Sequence, residues 1–207
     1  MENVNVKKKI NLPNKITIFR MIVVLAIIVL ALLPYSKENV FQIFGINHDY
    51  RSISILVLFI VGSLSDFLDG YLARKHNLVT TFGKFMDPIA DKLLVNTLFI
   101  LISSGVFIEN SVLTKEIFWV VPVIMISRDM VVDAIRMVAV GQGKVIAASK
   151  LGKLKTVTQM VALIVILALP GVMYVEYLAY LAALVSLVSG ADYFIKNRKI
   201  ILSDLRG

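Results

Sequence analysis

Apolar runs of about 18 or more residues follow one another along almost the whole chain, each long enough to cross a hydrocarbon core of about 30 Å as a helix. Lipid satisfies no backbone polar group, so a chain built of such runs has to form a helix bundle. The runs fall at about residues 16–34, 51–74, 87–107, 117–140, 153–170 and 173–196. They predict an all-α, polytopic membrane protein with six transmembrane helices and short loops, a single membrane domain over 1–207. With 58% hydrophobic residues, no soluble domain is left over. The first run follows Lys7, Lys8 and Lys9, but it is too long for a signal peptide's apolar segment and lacks an Ala-x-Ala site, so it is read as a span.

The distribution of charge orients this bundle. If the N-terminus is cytoplasmic, all but Lys37, Arg51 and Lys115 of the 22 Lys and Arg residues fall on the cytoplasmic side or at its interface. The chain is therefore expected in the cell membrane, with its N-terminus facing the cytoplasm. The net charge of +8 then reflects topology and attraction to anionic membrane lipid, and no nucleic-acid partner is expected. The first dozen residues, with Val4, Val6 and Ile10 among polar neighbours, fit either a short N-terminal interfacial helix ending at Pro13 or a plain polar tail. Asn14 is placed to cap the first span, Pro122 inside the fourth is a kink for neighbours to absorb, and Pro170-Gly171 marks an outer turn. The absence of cysteine excludes disulfides, iron–sulfur clusters and thiolate zinc.

Two pairs of acids break the apolar pattern. Asp66 and Asp69, three apart, share a helix face at the end of the second span, and Asp87 and Asp91, four apart, share one at the start of the third. Asp87 before Pro88 has a simpler reading as a helix N-cap, and Gly83 as a turn residue ahead of that helix. Arg74, Lys84 and Lys92 nearby offer a plain salt-bridge network. Neither reading accounts for the whole set, because four carboxylates on adjacent helices cost several kcal/mol to bury unpaired. Two divalent cations neutralise them more compactly. The candidate ligands are all hard oxygens, and His48 and His76 have no cysteine or histidine neighbours, so Mg²⁺ or Mn²⁺ is favoured over zinc. Paired ions of this kind clamp the attacking and leaving oxygens of a phosphoryl displacement. The acids alone do not reveal which is ligand and which is base. A cation channel is a rival reading, but it calls for acids near the bilayer midplane.

The spacing Asp66-x2-Asp69-Gly70-x2-Ala73-Arg74-x8-Gly83-x3-Asp87-x3-Asp91 resembles, without gap or substitution, the signature of the CDP-alcohol phosphatidyltransferase family. At ordinary residue frequencies such a match arises by chance at a rate on the order of 10⁻⁹ per start, so the motif is specific. The resemblance implies a six-helix membrane fold, a homodimer, and an active site open to the cytoplasmic interface. It implies that Asp66, Asp69 and Asp87 chiefly hold metal and that Asp91 is both ligand and general base.

Beyond the signature, the chain is similar to a bacterial branch of that family that joins CDP-diacylglycerol to glycerol 3-phosphate. Leu12-Pro13-Asn14-Lys15-Ile16-Thr17-Ile18-Phe19-Arg20 and Gly152-Lys153-Leu154-Lys155-Thr156-x2-Gln159 carry this likeness. The resemblance places CDP-diacylglycerol against Asn14 and Thr17, and against Asp69, Gly70, Ala73, Arg74 and Gly83. Arg128-Asp129-x6-Arg136 is similar to a third segment, but Asp129 stands where glutamate is usual and Asp133 where a small or hydroxyl residue is. Those departures bear on the acceptor rather than on the transfer. Inositol phosphate, serine and phosphatidylglycerol are the alternative acceptors. An acceptor phosphate needs cations, and Arg128, Arg136, Lys153 and Lys155 are the candidates, the two arginines sharing a face of the fourth span. No activated serine, cysteine or histidine nucleophile is apparent, so direct transfer is expected.

Overall fold

Asn11 stands in extended backbone and Lys15 N–H donates to its carbonyl at 3.1 Å, which closes the first turn of helix α1, Leu12–Leu32. Asn11 rather than Asn14 is thus the N-cap position, and Pro13 sits in the first turn, where a missing amide hydrogen costs nothing. The computed structural model describes residues 11–33, 40–75, 81–105, 117–147 and 149–205, with the side chains of 13, 66–75, 81, 84–85 and 201–205 left outside the description. Residues 1–10 of the expected N-terminal interfacial segment lie outside the described residues, and Leu12 and Pro13 at its end belong to α1.

Five further helices follow: α2 (Tyr50–Lys75), α3 (Thr81–Ser103), α4 (Val120–Gly141), α5 (Lys150–Ala168) and α6 (Tyr177–Leu205). The all-α reading holds, with one addition. Strands β1 (Val40–Ile43) and β2 (Ile46–Asp49) form an antiparallel hairpin in what the sequence suggested was plain loop. Its turn places Phe44 (φ 51°) and Gly45 (φ 77°) in left-handed backbone, the geometry of a two-residue hairpin turn. The Asn-Gly or Asp-Gly pair that normally announces such a turn is absent. Asp49 then accepts from the Ser52 amide to start α2, and Arg51 donates to the Ala31 and Leu33 carbonyls at the end of α1 (3.2 and 2.9 Å).

The helices are apolar outside and partly polar inside. On α1, Thr17 and Arg20 are fully buried while Ile22, Leu25, Val29 and Leu32 are exposed. On α6, Ala179, Ala182, Ala183, Ser186 and Ser189 face inward, and Leu181, Leu184, Leu187 and Ile195 face outward. Small residues inward permit close helix approach, and apolar residues outward suit lipid. One apolar core runs through all six helices, including Ile27, Phe59, Leu98, Met125, Leu163 and Ala182. Among the described residues, Asn14–Leu32, Lys150–Ala168 and Tyr177–Ile200 are long and apolar enough to cross a membrane, and Tyr50–Ser65 is a shorter apolar stretch.

Two prolines lie differently from expectation. α3 begins at Thr81, so Asp87 and Pro88 are inside the helix and Asp87 is not its N-cap. Gly83 is likewise buried in the first turn of α3 instead of forming a turn ahead of it. Pro122 occupies the first turn of α4, not its interior, so no kink has to be absorbed there. Pro170-Gly171 does form a turn, with Gly171 at φ 77°.

Candidate active site

α2 ends at Lys75 and α3 starts at Thr81, so both acid pairs lie close to this connection, 66 and 69 in the last turns of α2 and 87 and 91 in the first turns of α3. The side chains of Asp66, Asp69, Gly70, Ala73 and Arg74 are outside the described residues, as is His76. The four-acid set is therefore represented by Asp87 and Asp91, both half-buried. Among the described residues, no group of three or more metal-ligating side chains comes together.

Asp87 has a partner on another helix. The Thr17 hydroxyl of α1 donates to Asp87 Oδ1 at 2.5 Å, although 70 positions separate the two. A hydroxyl bond to one oxygen fixes the rotamer and leaves the other oxygen available, as in the outer partners of metal-binding carboxylates. The oxygen-only donor chemistry and this orientation fit a hard divalent ion. Asn14, one turn earlier on α1, is half-buried.

Beyond Asp87, a cavity of about 230 Å³ opens between α3, α4, α5 and α6. α3 contributes Asp91 and Lys92, and α4 contributes Arg128, Asp129, Asp133 and Arg136. The start of α5 adds Gly152, Lys153 and Lys155, and α6 adds Tyr193. The cavity thus unites Asp91 with all four basic residues that the sequence suggested for an acceptor phosphate. Ser149 is positioned at its rim as N-cap of α5, accepting from the Gly152 amide at 2.9 Å.

The cations are not equivalent. Lys155 Nζ lies 2.8 Å from both carboxylate oxygens of Asp129, and both side chains are almost wholly buried (7% and 6% exposed). Lys155 is therefore neutralised within the protein and is the weakest candidate for binding an acceptor anion. Arg128 leans on the same acid at 3.1 Å and donates to Ser189 Oγ of α6 at 2.7 Å. Arg136 donates from Nε to the Tyr193 hydroxyl at 3.2 Å, with its guanidinium 5.6 Å over that ring, and it lines the cavity. Lys153 is exposed. Lys92, suggested above as a counter-charge for the signature acids, is paired with Asp133 of α4.

Sequence reasoning missed Ser189, Gly190 and Tyr193. Gly190 sits where a Cβ would lie 2.7 Å from Arg128 Cγ, so the absence of a side chain there lets Arg128 cross α6. The signal was the small pair Ser189-Gly190 inside an apolar helix, which has meaning only once its neighbour is known.

Apolar grooves flank these polar groups. One of about 550 Å³ runs between α1 and α2, lined by Ile16, Phe19, Val61 and Leu64, with Lys15 and Ser65 also on its wall. Another of about 490 Å³ lies between α4 and α6, and Arg128 belongs to both it and the polar cavity.

Residues 10–188 match the CDP-alcohol phosphatidyltransferase family. The chain is 38% identical over 153 residues to the CDP-diacylglycerol--glycerol-3-phosphate 3-phosphatidyltransferase of Bacillus subtilis (strain 168), covering 74% of each chain. It is 38% identical over 159 residues to the protein of that name from Haemophilus influenzae, covering 75% of this chain and 74% of the other. The Mycoplasma genitalium protein of that name is 37% identical over 163 residues, 76% of this chain and 64% of the relative. With the fold, the signature spacing and the cavity beside Asp91, this likeness makes the chain a member of the CDP-alcohol phosphatidyltransferase family, and hence an enzyme.

Proposed function

We propose that the chain transfers the phosphatidyl group of CDP-diacylglycerol to sn-glycerol 3-phosphate, giving phosphatidylglycerophosphate and CMP for phospholipid biosynthesis. The observation that carries this reading is the cavity in which Asp91 faces Arg128, Arg136 and Lys153. It sets a candidate base beside cations suited to one phosphate monoester, and the named relatives agree in donor and acceptor. The cytidine diphosphate end of the donor lies along the signature, against Asn14, Thr17, Asp69, Gly70, Ala73, Arg74 and Gly83. Its acyl tails occupy the α1–α2 groove lined by Ile16, Phe19, Val61 and Leu64.

Asp66, Asp69, Asp87 and Asp91 hold two divalent cations, Mg²⁺ or Mn²⁺, which when bound supply charge stabilisation for the diphosphate and the departing CMP. Arg136, Lys153 and Arg128 hold the acceptor phosphate and so fix the direction of its free hydroxyl. Asp91 takes the proton from that hydroxyl as its oxygen attacks the phosphatidyl phosphorus. The bond from that phosphorus to the CMP oxygen breaks, and CMP leaves with the bonding pair. The transfer is direct, with no phosphatidyl-enzyme intermediate. The protein crosses the cell membrane six times as a homodimer, with its N-terminus and active site toward the cytoplasm. The charge asymmetry of the sequence supports that orientation.

Purified protein given CDP-diacylglycerol, Mg²⁺ or Mn²⁺ and separate acceptors tests the reading through CMP release. Glycerol 3-phosphate is expected to drive release, and inositol phosphate, serine and phosphatidylglycerol are not.

A further inference from the structure

Asp133 has no part in the transfer described above, yet it lines the same cavity as Asp91. It pairs with Lys92, the residue next to Asp91 on α3, across the gap between α3 and α4. Neither side chain is sealed off: Lys92 is 27% and Asp133 43% exposed. Among the described residues, the other acid of the α4 wall, Asp129, is by contrast buried, bound by Lys155 at 2.8 Å and touched by Arg128 at 3.1 Å. The two pairs divide the cavity's charge. With Lys155 and Lys92 neutralised, the cationic character is concentrated at Arg128, Arg136 and Lys153, while the wall beside Asp91 carries a lysine already matched to an acid.

An acceptor whose hydroxyl reaches Asp91 and whose phosphate reaches Arg136 and Lys153 presents its reacting end to the Lys92–Asp133 pair. A carboxylate accepts a hydrogen bond from a neutral hydroxyl, and it repels a second carboxylate. We infer that Asp133 is a specificity-determining residue: held by Lys92 beside Asp91, it admits a neutral, hydroxyl-bearing end of the acceptor and rejects an acidic one. The inference rests on the glycerol 3-phosphate reading and deepens it. A merely structural tie between α3 and α4 would shift affinity for every phosphorylated ligand alike.

The test compares glycerol 3-phosphate with 3-phosphoglycerate, which keeps the phosphate and central hydroxyl but carries a carboxylate in place of the reacting hydroxymethyl group. Full-length protein in lipid nanodiscs, with CDP-diacylglycerol and Mg²⁺, gives the KM of the first and the inhibition constant Ki of the second from CMP release. Wild-type protein should show a Ki about tenfold or more above KM. Asp133→Asn, which frees the Lys92 charge to meet a carboxylate, should lower the Ki-to-KM ratio by about tenfold, and Asp133→Glu should keep it. A wild-type Ki at or below KM overturns the inference without any variant. So does a ratio that stays at the wild-type value in Asp133→Asn. If wild-type protein releases CMP with another acceptor but not with glycerol 3-phosphate, the acceptor reading itself fails and the inference falls with it.

Discussion

Gly190 on α6 faces Arg128 on α4 so closely that a Cβ at 190 would lie 2.7 Å from Arg128 Cγ. The helix backbone itself tolerates alanine better than glycine, so crowding at Arg128 is the main expected consequence of Gly190→Ala. The arginine would have to leave its 2.7 Å bond to Ser189 and its place in the cavity. The KM for glycerol 3-phosphate is expected to rise by about tenfold, with helix content unchanged. Steady-state kinetics beside circular dichroism decides it, and an unchanged KM would mean that Arg128 does not hold the acceptor.

The buried Lys155–Asp129 pair makes a prediction about stability that is separable from one about activity. Asp129→Asn leaves a buried lysine with its matching charge removed, which costs about 3–5 kcal/mol. The double change Asp129→Leu with Lys155→Met replaces the pair by apolar side chains and should recover most of the lost thermal stability in detergent. It should not recover turnover, because Arg128 also loses its 3.1 Å contact with Asp129. A fully active double variant would show that Asp129 only offsets the charge of Lys155.

Thr17 reaches Asp87 from a different helix, and its effect should appear in metal dependence rather than in folding. Thr17→Val, of similar volume, is expected to weaken the apparent Mg²⁺ affinity by about 10- to 100-fold. Thr17→Ser should stay near wild type. Activity measured against Mg²⁺ concentration distinguishes these outcomes, and an unchanged titration for Thr17→Val would remove Thr17 from any role in orienting Asp87.

Asp91 lines the cavity with the basic residues, whereas Asp87 is bound to Thr17. As general base, Asp91→Asn should lower turnover by about 10²–10⁴-fold. Turnover near wild type would end that assignment.

The helices were legible in the sequence because each apolar run is longer than any soluble core requires. Their starts were less so. Pro88 and Pro122 each suggested a boundary or a kink, but a proline is tolerated within a membrane bundle and free of cost in a first turn, and the structure uses both options. The hairpin at 40–49 escaped notice because its strands are four residues each and its turn is Phe44-Gly45. In the site, the signature spacing identified the acids and the positive-inside pattern identified the basic side, yet neither ranked the cations. That Lys155 is matched by Asp129, Lys92 by Asp133, and Arg128 admitted by Gly190 depends on contacts between α3, α4, α5 and α6. Such pairings over 26 to 62 positions leave no local pattern in the chain.

The central claim is the identity of donor, acceptor and products, and it is tested most directly by following both halves of the reaction at once. Purified protein in nanodiscs, supplied with CDP-diacylglycerol, a divalent cation and radiolabelled glycerol 3-phosphate, is sampled for label in the lipid phase and for CMP in the aqueous phase. Equal amounts of labelled phosphatidylglycerophosphate and CMP, neither forming when the acceptor is left out, are the predicted result. CMP release without label in lipid, or label entering lipid only when another alcohol is supplied, would contradict it.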